Sequence, residues 1–232
     1  MHPGIPALAT LLILAATAGA DDKAGLYTCP DAASLSVATG DADDLALVCD
    51  GGASALTFLS GLGLSVPAAL SIEVVHSLPP LYGASQIGSY DARADRIQVL
   101  AYPCCAAMGT REDVLFGQPV SPDLYRSIVA HEVAHALVTA NYTGETPSIV
   151  AQEYIAYTTQ FVAMSPELRE RILAASRISA FAGEQQMSAM LYFIDPQAFG
   201  VAAYRHFAAQ RDGRLIVWRL LRGEARLARP PE

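Results

Sequence analysis

The sequence predicts an α+β fold, with a small N-terminal mixed sheet and its helices leading into an all-helical second part. Three observations carry that expectation. The stretches that read as strands come first in the chain with one helix among them, and only helices are expected from Ser121 onward. The 232 residues are 52% hydrophobic, enough for one sizeable core, so a single domain is expected after residue 20, α/β to about residue 140 and helical over 141–232. At the junction stands His131-Glu132-Val133-Ala134-His135, inside an apolar helical run.

Taken in order, Ser34-Leu35-Ser36-Val37 alternates polar and apolar and reads as a short strand ended by Gly40. Asp41 offers an N-cap, with Asp43 and Asp44 in the first turn where negative charge is favoured. The helix it opens runs to Gly61-Leu62-Gly63, although Gly51-Gly52 in its middle opposes helix. Leu70 to Val75 is rich in β-branched residues and reads as a buried strand. Ile87 to Tyr90 and Arg96 to Leu100 flank a polar turn and suggest a hairpin, and Cys104 to Gln118 reads as a loop.

Ser121-Pro122-Asp123 supplies a cap, a proline at the first helical position and an acid after it, so the motif helix should span about Pro122 to Ala140. Asn141-Tyr142-Thr143-Gly144 ends it; the triplet is also a glycosylation sequon, read here as a sign of an exposed turn. Further helices are expected after Thr146-Pro147 to about Met164, from Ser165-Pro166-Glu167 and from Asp195-Pro196, and Leu215 to Leu221 begins a last apolar segment.

A net charge of -8 and a pI near 5.0 argue against nucleic-acid binding, which needs clustered Lys and Arg to displace counterions from phosphate. The first 20 residues read as a signal peptide. Leu8 to Thr17 is a short apolar run, Ala18-Gly19-Ala20 is a small-residue cleavage site, and Asp21-Asp22-Lys23 follows. Periplasmic or secreted localisation is therefore expected, with no stable membrane insertion after signal cleavage. In an oxidising compartment the four cysteines suggest two disulfides. Because Cys104 and Cys105 are adjacent, they are expected to bond to Cys29 and Cys49 rather than to each other.

On a helix, residues four apart share a face, so His131 and His135 can converge on one metal ion with Glu132 beside it. A catalytic zinc needs a third protein ligand. The pattern H-E-x-x-H-x-x-G-x-x-H is excluded, because Val138 and Asn141 stand where it requires Gly and His. A downstream carboxylate remains. Glu145 lies in a polar turn, and Glu167 and Glu170 lie beyond a second helix break, whereas Glu153 is an acid within the apolar stretch Ser148 to Tyr157. A buried carboxylate is costly unless something compensates it, so Glu153 asks for a partner.

H-E-x-x-H, a 17-residue spacer and then Glu153 in Gln-Glu-Tyr-Ile-Ala-Tyr resemble the gluzincin branch of zinc metallopeptidases, closest to its minimal stand-alone bacterial kind. That resemblance implies a zincin-like fold, one zinc ion held by His131, His135 and Glu153, Glu132 as general base, and an edge strand that binds extended substrate. Thermolysin-like members place an Asp four residues after the third ligand, where this chain has Tyr157, and use a Tyr or His to stabilise the oxyanion, for which Tyr204 and His206 are the candidates. The implied activity is an exported metallopeptidase, an endopeptidase acting on a peptide or protein substrate. The alternative is a non-catalytic, zinc-stabilised module that binds a cell-envelope protein or peptide.

Overall fold

A computed structural model describes residues 25–79, 86–108, 115–144 and 147–228. The expected signal peptide at 1–20 and Glu145 lie outside the described residues. The architecture is α+β, built on a five-stranded mixed sheet of order β1-β2-β3-β5-β4. Its strands are β1 (Gly25–Cys29), β2 (Ala32–Thr39), β3 (Leu70–Val75), β4 (Gly88–Asp91) and β5 (Arg96–Leu100). The central three run parallel, while β1 and β4 lie antiparallel at the two edges. Leu35, Val37, Ile72, Ile97 and Val99 are buried on the sheet, as period-two alternation requires.

Helix α1 (Ala42–Gly61) begins where Asp41 accepts from the backbone N–H groups of Asp43 and Asp44. Its Gly51 and Gly52 lie where the helix is squeezed between two layers. A Cβ on the first would strike the Arg126 carbonyl oxygen, and one on the second would strike Leu35. The two glycines that oppose helix locally are thus what lets α1 approach both the sheet and the motif helix.

That motif helix, α3 (Pro122–Asn141), starts at the Ser121 cap and is the centre of the molecule, packed on α1 on one side and α4 (Ile149–Ala163) on the other. Val129, Ala130, Val133, Ala134, Leu137 and Val138 are all buried, so α3 has almost no solvent face. The helical part continues through α5 (Pro166–Ala175), α6 (Ala189–Ile194), α7 (Pro196–Ala208) and α8 (Gly213–Leu221), with Ser165 capping α5 and Asp195 capping α7. None of the helices among the described residues is long and apolar enough to cross a membrane.

Three expectations need correction. Cys29 bonds to Cys49, and Cys104 and Cys105 are free thiols. Cys29 ends an antiparallel edge strand beside the start of β2, where it meets α1. Cys104 and Cys105 instead follow the far end of β5, so strand order puts the two pairs at opposite ends of the sheet. Cys105 is buried, with its Sγ 3.6 Å from the Leu100 carbonyl oxygen. The single bridge closes a 20-residue separation, a constraint worth about 3 kcal/mol by loop entropy.

The stretch expected as a loop begins as helix α2 (Tyr102–Met108); its residues 109–114 are outside the described set. Asn141, expected to mark an exposed turn, is the half-buried last residue of α3. Its side-chain amide bonds both backbone groups of Ser65, at 2.8 Å each, and the Leu137 carbonyl oxygen.

Candidate metal centre

The two histidines and Glu153 come from neighbouring helices, α3 and α4, whose packing closes the space between them. His131 Nε2 and His135 Nε2 lie 3.1 Å apart. The Glu153 carboxylate faces both, 3.6 Å from the first and 3.7 Å from the second. The three side chains are only 12%, 11% and 6% exposed.

This spacing suits a shared ion. Donor atoms about 2.0–2.2 Å from a tetrahedral metal sit roughly 3.3–3.5 Å from one another, and the observed separations of 3.1, 3.6 and 3.7 Å bracket that range. Among the described residues these three are the group of His, Cys, Asp and Glu side chains able to hold a metal ion.

Burial governs the electrostatics of the group. It holds the His131 imidazole well below its ordinary range, assisted by the neighbouring His135, and lowers His135 to about 4. The carboxyl of Glu153 is pushed up to about 7 by burial, against the opposing pull of a hydrogen bond from the Tyr192 side chain. Each shift disfavours the charged form. A divalent cation held between the three would reverse the carboxylate's preference, because it would supply an opposite charge in place of the hydration that burial removes.

Glu132 is 8% exposed and is not one of the three ligands. Its carboxyl is pushed up to about 8, by burial first and by the charge of Glu153 second. It lies against β4: a Cβ on Gly88 would stand 2.5 Å from Glu132 Cγ and 2.8 Å from Oε1. The edge strand therefore passes directly over the acid.

Tyr157 packs its ring edge-on against the His131 imidazole, with centroids 4.7 Å apart. Gly200 on α7 makes room for that ring, since a Cβ there would meet Tyr157 Cδ1 at 2.6 Å. The polar contacts to the imidazoles come from two amides on α4. Gln160 Oε1 lies 3.2 Å from His131 Nδ1, and the Gln152 side chain hydrogen-bonds His135.

Tyr204 and His206 are engaged in packing of α7. Tyr204 stacks on Phe161 at 5.0 Å, with the Arg169 guanidinium 5.9 Å from its ring centroid. His206 Nδ1 is 2.7 Å from the Tyr154 hydroxyl, and its Nε2 meets the Gln210 amide. The hydroxyl that hydrogen-bonds the Glu153 carboxyl is that of Tyr192 on α6, which sequence reasoning missed. Within the six apolar-rich residues of α6 nothing marks Tyr192, because its role depends on where α6 docks.

Fold and site together define an α+β protein with a buried two-histidine, one-glutamate group that could hold a metal ion and a second glutamate beside it. The chain belongs to the family described as Family of unknown function (DUF6639), whose profile matches residues 35–230. No curated protein matches it, and no solved structure does.

Proposed function

We propose that the protein is an exported zinc metallopeptidase that hydrolyses peptide bonds in extended substrates. The observation that carries this reading is the position of Glu132: a buried carboxyl outside the ligand set, next to it, and roofed by a strand at the sheet edge. A metal that served only to hold the fold together would need no such acid. Export is supported by the Cys29–Cys49 disulfide together with the N-terminal apolar segment.

His131, His135 and Glu153 would hold the zinc, which when bound polarises the scissile carbonyl and acidifies its water. Glu132 takes a proton from the attacking water as the new C–O bond forms, and gives it to the leaving amine as the C–N bond breaks. The Tyr192 hydroxyl donates to the Glu153 carboxylate and would orient that ligand. Strand β4 supplies the substrate ledge. Leu100 N–H donates to the Ile87 carbonyl oxygen, so by the alternation of an antiparallel ladder Gly88 and Tyr90 direct their backbone groups away from β5. An extended peptide can pair with them as an added strand.

The reading is tested by metal analysis and by exposure to a broad peptide library. About one zinc per chain, lost in Glu153→Ala together with cleavage, is the expected result. Stoichiometric zinc with no cleavage of any peptide would instead favour a zinc-stabilised binding module, and absence of metal would end both readings. Gly88→Ala provides a finer check, because its methyl group must displace the Glu132 carboxyl. Its kcat/KM should fall at least about tenfold, since small misplacements of a catalytic group cost up to a hundredfold, while zinc content stays unchanged.

A further inference from the structure

In the resembled enzymes a carboxylate four residues after the third ligand orients a histidine, and here that position is Tyr157. The Tyr157 ring packs against His131 without offering an acceptor in its plane. The acceptor comes one helical turn further along the same helix. Gln160 is 2% exposed and directs Oε1 to His131 Nδ1 at 3.2 Å. A second amide serves the other ligand. Gln152 donates through Nε2 to the Pro147 carbonyl oxygen at 3.3 Å, which leaves its Oε1 for the hydrogen bond to His135.

An amide oxygen can only accept, so the ring nitrogen facing it carries the hydrogen. The His131 imidazole is thereby set with Nδ1–H outward and the Nε2 lone pair directed into the space shared with Glu153, which His135 Nε2 also faces. The arrangement also accounts for two otherwise costly features. A buried amide needs partners, and three converging acceptors need a cation.

We propose that Gln160 and Gln152 are positioning residues that hold the two histidines for metal binding through neutral carbonyl acceptors, in place of an ionised carboxylate. This inference rests on the metal-centre reading above. A neutral acceptor withdraws the Nδ1 proton less than a carboxylate does, so each imidazole is a weaker donor to the metal. It also leaves charge uncompensated. A dication held there with Glu153 as its one anionic ligand would keep a net positive charge beside Glu132.

The test is zinc affinity by chelator competition for wild type, Gln160→Met, Gln160→Glu and Gln152→Met, with melting in EDTA to confirm that each variant folds. Gln160→Met, close in volume but with only the weak acceptor of a thioether, should bind zinc about 10- to 100-fold more weakly. Gln160→Glu should bind at least as tightly as wild type. Gln152 is only half-buried, so Gln152→Met gives the same reading of its own contact should Gln160→Met fail to fold, with a loss in the same direction.

Unchanged affinity in the methionine variants, or Gln160→Glu as weak as Gln160→Met, would overturn the positioning role while wild-type zinc binding leaves the peptidase reading standing. A wild-type protein that binds no zinc would overturn both.

Discussion

Glu132→Gln is expected to lower peptidase activity by about 10²- to 10⁴-fold, the usual contribution of a positioned general base, and to leave zinc content unchanged. The two halves of this result have separate physical origins. The amide cannot accept and return a proton during turnover, so catalysis fails. It keeps the volume of the acid, and Glu132 is not a ligand, so the three donors at 3.1–3.7 Å are undisturbed. Nor should the fold suffer. With its carboxyl pushed up to about 8, Glu132 is neutral at pH 7 in metal-free protein, and glutamine reproduces that neutral form. At pH above 8 the variant should melt higher than wild type in EDTA, because it no longer buries a charge. Activity within a few-fold of wild type, with zinc retained, would remove Glu132 from the mechanism.

What could be read from the sequence followed from local chemistry. Ser121, Ser165 and Asp195 each cap a helix whose first residue is proline, and each marks a helix start in the structure. Strand β3 was legible because Leu70 to Val75 contains the β-branched run of a buried strand. Strand β1 was not, since Leu26 and Tyr27 are 69% and 46% exposed and only Cys29 of that strand is buried. Helix α2 has seven residues and α6 six, too few to display a period.

The same division holds at the site. His131, Glu132 and His135 share one turn of helix, and Glu153 stood out as an acid in an apolar segment. Gln160 satisfies that same criterion of polarity in a buried helix, and a search for carboxylates alone passed over it. Tyr192 and the Gly88 contact depend on docking of distant elements, which no local pattern encodes. The disulfide depended on strand order for the same reason: adjacency of Cys104 and Cys105 constrains their bond to each other, but not which end of the sheet they occupy.

The stability that zinc adds should grow as pH rises from about 5 to about 8, and the sign follows from four shifted groups. In metal-free protein Glu153 and Glu132 are raised from 4.5 to about 7 and about 8. Their contribution to stability is complete below 4.5 and is lost progressively as pH climbs through those folded values. The histidines act oppositely: lowered from 6.5, His135 to about 4 and His131 in the same direction, they stabilise fully above 6.5 and lose that contribution as pH falls. Between 6.5 and 8 only the carboxyls still change, so the metal-free melting temperature should decline across that interval. Zinc requires an ionised Glu153 and two neutral imidazoles, so its binding releases protons below about pH 7 and is opposed by His135 protonation near pH 4. Melting in excess zinc and in EDTA at pH 5.5, 6.5, 7.5 and 8 therefore should give two curves that diverge with rising pH. Curves that stay parallel would mean that the ion does not engage Glu153, and the ligand set would have to be redrawn around the two histidines.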